Sequence, residues 1–541
     1  MTDRKPFFAP LSHATFRNIW LASIVSNLGG LIQGVGAAWM MTSITTSENM
    51  IALVQASTTL PIMIFSLVAG AIADSFDRRR VMLVAQGFMF AISALLAACA
   101  YLGWITPWLL LTFTFLLGCG GALNNPSWQA SVGDMVPRDD VPGAVSLNSL
   151  GFNLTRSVGP AIGGAIVDFG GAAAAFAANA FSYIALITAL VRWKHIRPVT
   201  TLPRENIGPA IGAGLRYVSM SPNLLKVFLR SFVFGLAAVA VLALLPVLAR
   251  DLDGGPLTYG LMLGGFGVGA VGGAYFNTFL RERLTSEMIV RCALGGFALS
   301  EAVVAATDSL VLMGASLILA GASWVVALSL FNTIVQLSTP RWVVGRALAF
   351  YQMATFGGMA AGSWLWGGLA ESQDVATALW IASALAAAGL LIGFALPMPP
   401  LASLDLDPLD TFKEPELHLD IRPRSGPIAI QVVYEIRDQD LREFLELMVE
   451  RRRIRIRDGA QAWALMRDLE APNRWTETYH TPTWVDYVRH NTRRTRADRE
   501  NLVRLRALHQ GDGLPEIRRM IERQVIPPAG DVFHQAQIEP H

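Results

Sequence analysis

The sequence predicts an all-α membrane protein of twelve spanning helices in two six-helix repeats, followed by a small α+β domain. Three observations carry this. Apolar runs long enough to cross a bilayer recur twelve times before residue 398. The two sets of six resemble each other at a fixed offset. Beyond Pro397 the composition changes abruptly, and the chain regains the charge of an ordinary soluble domain.

The chain has 541 residues, of which 53% are hydrophobic and 16% charged. Soluble chains carry about 25% charged residues. The deficit falls on the first part of the chain, so two solvents and two kinds of domain are expected. The net charge of +2 names no partner by itself. No basic face stands clear of acidic neighbours, which argues against nucleic acid. Cys99, Cys119 and Cys292 all lie in apolar runs, where they read as packing residues. They form neither a disulfide framework nor a metal site. The Trp, Met and Phe residues of the spans call for no cofactor. A phosphate-binding loop of the form GxxxxGK followed by Ser or Thr is absent, which disfavours ATP-driven transport.

Arg4, Lys5 and Arg17 precede an apolar stretch over 19–41. It is longer than a signal peptide's apolar region, so it reads as a retained first span. On the rule of about 20 apolar residues per crossing, the spans lie near 16–41, 50–73, 81–102, 108–130, 142–167 and 172–193. Six more lie near 224–248, 259–280, 288–306, 310–337, 346–370 and 377–396. Between the sets a polar break joins the halves, with an interfacial helix expected over 210–220.

The connecting loops alternate in charge. One set carries Arg78, Arg79 and Arg80, then Arg138, then Arg192, Lys194, Arg197, Arg204 and Arg216, then Arg281 and Arg283, then Arg341 and Arg346. The other carries Glu48, Asp168, Asp308, Glu371 and Asp374, with Arg250 its only cation. The positive-inside rule makes the first set cytoplasmic, and with it both termini. The expected organisation is a first bundle over 1–193, a linker over 194–222, a second bundle over 223–397, a linker over 398–427, an α+β domain over 428–525 and a tail over 526–541.

An offset of 203 residues relates the halves. It carries Gly70 to Gly273, Asp74 to Asn277, Arg78 to Arg281, Arg80 to Arg283, and Pro137-Arg138 to Pro340-Arg341. It also carries Gly159 to Gly362, Gly164 to Gly367 and Asp168 to Glu371. Each half has an even number of spans, so the repeats are parallel, related by an axis along the membrane normal.

The stretch Gly70-Ala-Ile-Ala-Asp74-Ser-Phe-Asp77-Arg78-Arg79-Arg80 resembles the signature loop between helices two and three of the major facilitator superfamily. Gly273, Asn277, Arg281 and Arg283 are its second copy. The resemblance implies a Gly for close helix approach, an Asp at a helix start and Arg residues that anchor a cytoplasmic gate. A carboxylate there meets orphan N–H groups and the positive end of a helix dipole. Asp77 stands where the family has its second Gly. In helix five, Gly159-Pro160-Ala-Ile-Gly163-Gly164 looks like the core of the pattern typical of the superfamily's exporters, with Thr155 in place of an earlier Gly. Small residues there let helices pack closely, and Pro bends the helix. The fourth helix lacks the family's usual Arg and offers Asn124, Asn125 and Gln129. The run from Gly121-Ala-Leu-Asn124-Asn125-Pro126 through Val136-Pro137-Arg138, Asn148 and Asn153 resembles the branch that contains the enterobactin exporters.

That resemblance implies proton-coupled efflux of a small organic molecule, siderophore or drug-like, across a bacterial cytoplasmic membrane by alternating access. Uptake by the same fold, or a bifunctional protein whose tail modifies the substrate, are the rival readings.

An ionisable residue within a span is a functional candidate by default. Arg156 follows Asn153 and Asn148 along helix five. Their eight residues rise about 12 Å, so the three can line one strip of a cavity wall. Arg156 is read either as a cation for an anionic or catecholate-like ligand, or as an Arg bonded to carbonyls of a neighbouring helix. Glu301, the only carboxylate well inside a span, is read as the carrier of the coupled proton or as partner to a neighbour near the outer interface. Asp74 and Asp168, at helix ends, read as gate residues or caps. Arg230 is expected to snorkel to the cytoplasmic surface.

In the tail, β-branched content predicts a strand over 428–436. Asp438 or Asp440 then caps a helix to about residue 453, with Leu441, Phe444, Leu445 and Met448 on its apolar face. Strands follow over 461–468 and 475–480, helices over 484–492 and 496–509, and a last helix or strand over 516–525. This order resembles the ferredoxin-like domain of the antibiotic biosynthesis monooxygenase type, with local likeness in Arg457-Asp458-Gly459-Ala460, over 463–468 and from Glu477 to Trp484. The resemblance implies pairing into a homodimer. Trp463 and His480 would be its catalytic candidates. No acid, base and nucleophile set is legible, so a regulatory or dimerising domain is expected rather than an enzyme. The Arg-rich helix (Arg451, Arg452, Arg453, Arg455, Arg457) is expected to be a solvated or membrane-facing surface.

Overall fold

The computed structural model describes residues 8–193, 207–400, 406, 409 and 412–522. The chain divides into two compact units. The first joins residues 1–199, 223–335 and 348–401; the second joins 200–222, 336–347 and 402–541.

The first unit is helical: α1 (Ala14–Ile44), α2 (Glu48–Ser75), α3 (Arg78–Tyr101), α4 (Pro107–Met135) and α5 (Val141–Arg192). After α6 (Ile207–Ser219), which belongs to the second unit, come α7 (Pro222–Asp251), α8 (Pro256–Arg283) and α9 (Ser286–Ala306). They are followed by α10 (Leu310–Leu337), α11 (Val344–Ser372) and α12 (Val375–Ala395). Ser, Thr and Asp caps start several of them: Ser47 Oγ accepts from Met50 N, Thr106 Oγ1 from Leu109 N, Thr285 Oγ1 from Met288 N and Asp374 Oδ1 from Thr377 N. Each cap satisfies a donor that the first turn leaves orphaned.

Among the described residues ten helices are long and apolar enough to cross a membrane. The 52-residue α5 turns at Gly171, where φ is +75°, and so supplies two arms. A side chain resists that φ, and glycine does not. The 29-residue α11 is also long enough to cross, but it is richer in Gly and Trp than α10 or α12. With these two additions the twelve crossings of the sequence reading are all present, six on either side of α6.

Arg230 does not snorkel. It is 3% exposed, and its Nη1 lies 2.5 Å from Glu287 Oε2 and 3.3 Å from Leu396 O. Glu287 also accepts from Arg291 Nε and from Met398 N, both at 2.9 Å. A carboxylate brought from α9 removes the need to reach water, and removing one member of such a buried pair would strand the other.

The second unit carries β1 (Ile428–Glu435), α13 (Leu441–Asp458), β2 (Gln461–Arg467), β3 (Arg474–Thr481), α14 (Trp484–Thr492), α15 (Arg499–Leu508) and β4 (Glu516–Ile521). The antiparallel sheet has the order β2-β3-β1-β4, which is the ferredoxin-like βαββαβ arrangement. Alternate residues of β1, Ile428, Ile430, Val432 and Tyr434, face a core with Phe444, Leu447, Met448, Tyr479 and Trp484. The last element is a strand. The N-terminal Asp438–Asp440 turn is 3-10, and α13 runs past residue 453 to Asp458, ending at Gly459 with φ +118°.

The helix expected over 210–220 exists as α6 and packs with the tail. Tyr217 of α6 meets Trp342 edge-on at 5.8 Å, Arg453 Nη2 donates to Met220 O at 2.7 Å, and Arg493 lies 4.2 Å over the Trp342 ring. Residues 194–206, 401–405, 407–408, 410–411 and 523–541 of the expected linkers and tail lie outside the described residues.

Candidate functional site between the helical halves

The exporter-like stretch of α5 packs on both sides. A Cβ on Gly159 would lie 2.9 Å from Leu31 Cβ, and one on Gly163 would lie 3.0 Å from Ile32 Cα, both in α1. On the other side, a Cβ on Gly164 would lie 2.6 Å from Pro256 O, and one on Gly260 would lie 2.5 Å from Pro160 O. The first half therefore touches α8 of the second, backbone to backbone, and glycine at both surfaces permits it.

Arg156 lies two turns before Gly164 at this seam. Its guanidinium sits 5.4 Å from the Phe266 ring of α8 and 5.8 Å from the Trp324 ring of α10. It has no hydrogen bond or ion pair among the described residues, so the carbonyl-bonded reading is not what the structure presents. Trp324 belongs to an aromatic cluster with Phe234, Phe266 and Phe297. Asn153 is half-buried, and among the described residues its side chain makes no hydrogen bond. The other asparagines are engaged within the first half: Trp128 Nε1 donates to Asn148 Oδ1 at 3.0 Å, and Gln86 Nε2 to Asn124 Oδ1 at 3.1 Å. The strip expected from Asn148 to Arg156 thus divides, with only its last two members open.

Glu301 of α9 is fully buried, and neither carboxyl oxygen has a partner among the described residues. This differs from pairing with a neighbour at the interface. It lies one turn beyond Phe297, whose ring centre is 6.2 Å from that of Trp324. Arg156 thus faces two members of this cluster, and Glu301 lies one helical turn from a third.

The signature loop is built differently in the two halves. Arg78 Nη1 donates to Ala130 O at 2.8 Å and to Asp134 Oδ2 at 2.9 Å, both on α4. Its repeat mate Arg281 donates to Ser329 Oγ on α10 at 3.0 Å, as does Asn277 Nδ2. Each Arg thus ties its loop to the fourth span of its own half. Asp77, not a Gly, caps α3 by accepting from Arg80 N. The Asp74 side chain lies outside the described residues. A Cβ on Gly273 would lie 2.5 Å from Ala322 O, whereas one on Gly70 would meet nothing within 4 Å. The close approach expected at Gly70 is therefore absent, and its second copy carries it. Arg283 stacks over Phe279 at 4.2 Å, and Arg80 is exposed.

In the tail, α13 does not present all its arginines to solvent. Arg451 and Arg455 are buried, because they continue the sheet-facing stripe of Phe444, Leu447 and Met448 at helical spacing. Glu477 of β3 meets them. Arg455 Nε donates to its Oε1 at 2.9 Å, Trp463 Nε1 to Oε1 at 3.1 Å and Tyr434 OH to Oε2 at 3.3 Å. Burial would raise the Glu477 carboxyl, but Arg455, Arg451 and these hydrogen bonds hold it at about 2. His490 Nε2 accepts from Arg455 Nη1 at 3.0 Å. Burial and then Arg455 push His490 well below the usual imidazole value. Trp463 is thus an anchor of this ion pair. His480 occupies the opposite face of β3 from Glu477, so the two catalytic candidates of the monooxygenase resemblance do not meet.

The sequence reading missed Phe266 and Trp324, which look like any other apolar residues of their spans. It also missed Glu287, although its spacing of four from Arg291 was a legible pairing signal.

Two parallel six-helix halves packed across α5 and α8 define the fold of a transporter of the major facilitator type. The fold is shared with a bacterial homologue of the human lysosomal transporter Spinster in its inward-facing and occupied conformation (TM-score 0.57, 12% identity, 72% of this chain and 97% of that one). Residues 5–525 match the transmembrane secretion effector family, and the chain belongs to it. It is 27% identical over 398 residues to the enterobactin exporter EntS of Salmonella typhimurium, covering 70% of this chain and 92% of EntS. It is 28% identical over 236 residues to the staphyloferrin A transporter of Staphylococcus aureus, covering 43% of this chain and 58% of the relative.

Proposed function

We propose that this multi-pass membrane protein exports a small anionic organic molecule of the siderophore class by proton antiport and alternating access. The observation that carries the reading is Arg156. An Arg within a span costs about 2.5–3.5 kcal/mol on insertion scales. Two ring faces return about 0.5–1 kcal/mol each. The balance is unmet by the protein's own groups, and a carboxylate or catecholate bound between α5, α8 and α10 would meet it. The relatives named as an enterobactin exporter and a staphyloferrin A transporter support a small organic molecule as the cargo.

In this reading Asn153 orients the ligand and Glu301 carries the coupled proton. The Arg-rich loops and both termini face the cytoplasm, the bilayer is the bacterial inner membrane, and the halves over 1–193 and 223–397 rock about the α5–α8 seam. The copies of the signature loop, Gly70 to Arg80 and Gly273 to Arg283, act at the cytoplasmic gate. The tail serves as a dimerising or regulatory domain; its edge strands β2 and β4 leave open ladders for a second copy. Cells expressing the chain should accumulate less of a siderophore than cells without it, and collapsing the proton gradient should erase the difference. Equal accumulation in both, or higher accumulation with the chain, would overturn export.

A further inference from the structure

The loops opposite the Arg-rich ones hold a second repeated feature. Gly164 and Asp168 are four residues apart at the end of α5's first arm, and their repeat mates Gly367 and Glu371 are four apart at the end of α11. Four residues are about one helical turn, so each Gly and its carboxylate share a face. Both pairs lie against the first turns of a helix in the opposite half. Gly164 touches α8 at Pro256 and Gly260, and Asp168 Oδ1 is 3.4 Å from where a Cβ on Gly255 would stand. Gly367 touches α2: its Cβ would lie 2.7 Å from Ala52 Cβ and 3.0 Å from Asn49 Cα. Glu371 Oε2 accepts from Ser47 Oγ at 2.8 Å and from Asn49 N at 3.2 Å. One carboxylate thus completes the start of α2 from across the seam, beside the cap that Ser47 supplies itself. Asp168 has no such hydrogen bond among the described residues.

We infer that Glu371 is a gate residue, the latch holding the Arg-poor ends of the two halves together, at the position its repeat mate Asp168 occupies without such a bond among the described residues. The inference rests on the alternating-access reading, because only a transporter that opens on this side has to break the contact. The latch is suited to repeated opening. It consists of one charge at a helix start, where the dipole and an orphan N–H favour it, and it is exposed to water that replaces its bonds when it parts. The glycines set the close approach and the carboxylate sets the lock, so the two are separable by substitution.

The test uses the full-length chain with Cys99, Cys119 and Cys292 replaced by Ser, reconstituted without substrate. Ala52→Cys places a thiol where α2 meets Gly367, and its rate of labelling by a maleimide reports opening of this seam. Glu371→Ala should speed labelling roughly threefold to tenfold, the shift given by losing about one ordinary hydrogen bond, since water replaces part of what the exposed carboxylate supplies. Glu371→Gln keeps an acceptor and should lie between. Asp168→Asn should change the rate least. Labelling of Glu371→Ala at the parent rate, in protein that inserts normally, overturns the latch. Because no substrate is present, faster labelling in a protein that exports nothing would count against the export reading and leave the latch standing.

Discussion

Arg156 and Arg455 are both arginines facing aromatic rings inside their respective units, yet their surroundings differ. Arg455 lies 4.2 Å over the Tyr479 ring, and Glu477 and His490 take its hydrogen bonds. Arg156 has ring faces alone, at the seam between two halves of a transporter. The contrast separates an ion that a domain keeps for its own fold from one left for something else. A buried charge with every bond made is structural, and its removal is felt as lost stability. A charge without a partner, where two bodies meet, is felt as lost function.

The largest effect on stability should come from breaking the satisfied pair. Glu477→Gln would leave Arg451 and Arg455 facing a neutral amide, a loss of about 3–5 kcal/mol. The tail should then become protease-sensitive while the helical unit still inserts. A tail as resistant as the parent's would erase the contrast from one side. Next is Glu301→Gln, which removes the group proposed to carry the proton. Transport driven by a pH gradient should fall at least roughly a hundredfold, the lower end of what a positioned proton-transfer group contributes, while exchange of substrate for substrate persists. Gradient-driven transport at parent rate would assign the proton elsewhere.

The pH response of the tail sharpens the comparison further. Glu477 is depressed to about 2 from its ordinary 4.5, so its stabilisation is present above pH 4.5 and is lost as pH falls toward 2. His490 is also depressed, from 6.5, by burial and Arg455, so its contribution is lost as pH falls below 6.5. Burial raises Asp458 from 3.8 to about 6, which has the opposite sign: its contribution is present below 3.8 and lost as pH rises through 6. Melting of the tail followed from pH 7 to 4.5 should therefore show a loss due to His490 offset by Asp458. His490→Gln should leave only the gain on acidification. An unchanged profile in that variant would show that His490 is not held neutral.

The smallest effect should follow deletion of everything after Pro397. The tail lies beyond the last span, and export should persist at a reduced rate in counterflow measurements. Complete loss with normal insertion would make the tail part of the transport machinery.

Much of this architecture was legible in the sequence because its signals are periodic. Spans, repeat and strand order follow from run length, offset and alternation, which are local properties. The turn at Gly171 and the tail's last strand differ from the reading only in detail. The partners of charged groups were less legible, because they depend on which helices meet. Arg230 finds Glu287 at 57 residues' distance, and nothing near Arg230 announces it. The five arginines of α13 suggested a solvated surface by number, whereas the positions of Arg451 and Arg455 on the Phe444–Leu447–Met448 stripe already pointed inward. Gly70 matched a signature whose close approach the structure places at Gly273. Arg156 stood out in the sequence as a charge within a span, but Phe266 and Trp324 could be joined to it only once α5 was seen to pack on α8.

The most direct test of the central claim is transport of a defined anionic siderophore into liposomes holding the parent chain, Arg156→Lys or Arg156→Gln at matched density. If Arg156 is kept for the ligand's charge, Arg156→Gln should lose transport by roughly a hundredfold, the scale of about 3 kcal/mol for a charge pair in low dielectric. Arg156→Lys should retain a measurable fraction, with the loss expressed as weaker apparent affinity. Parent-level transport in Arg156→Gln would contradict the account.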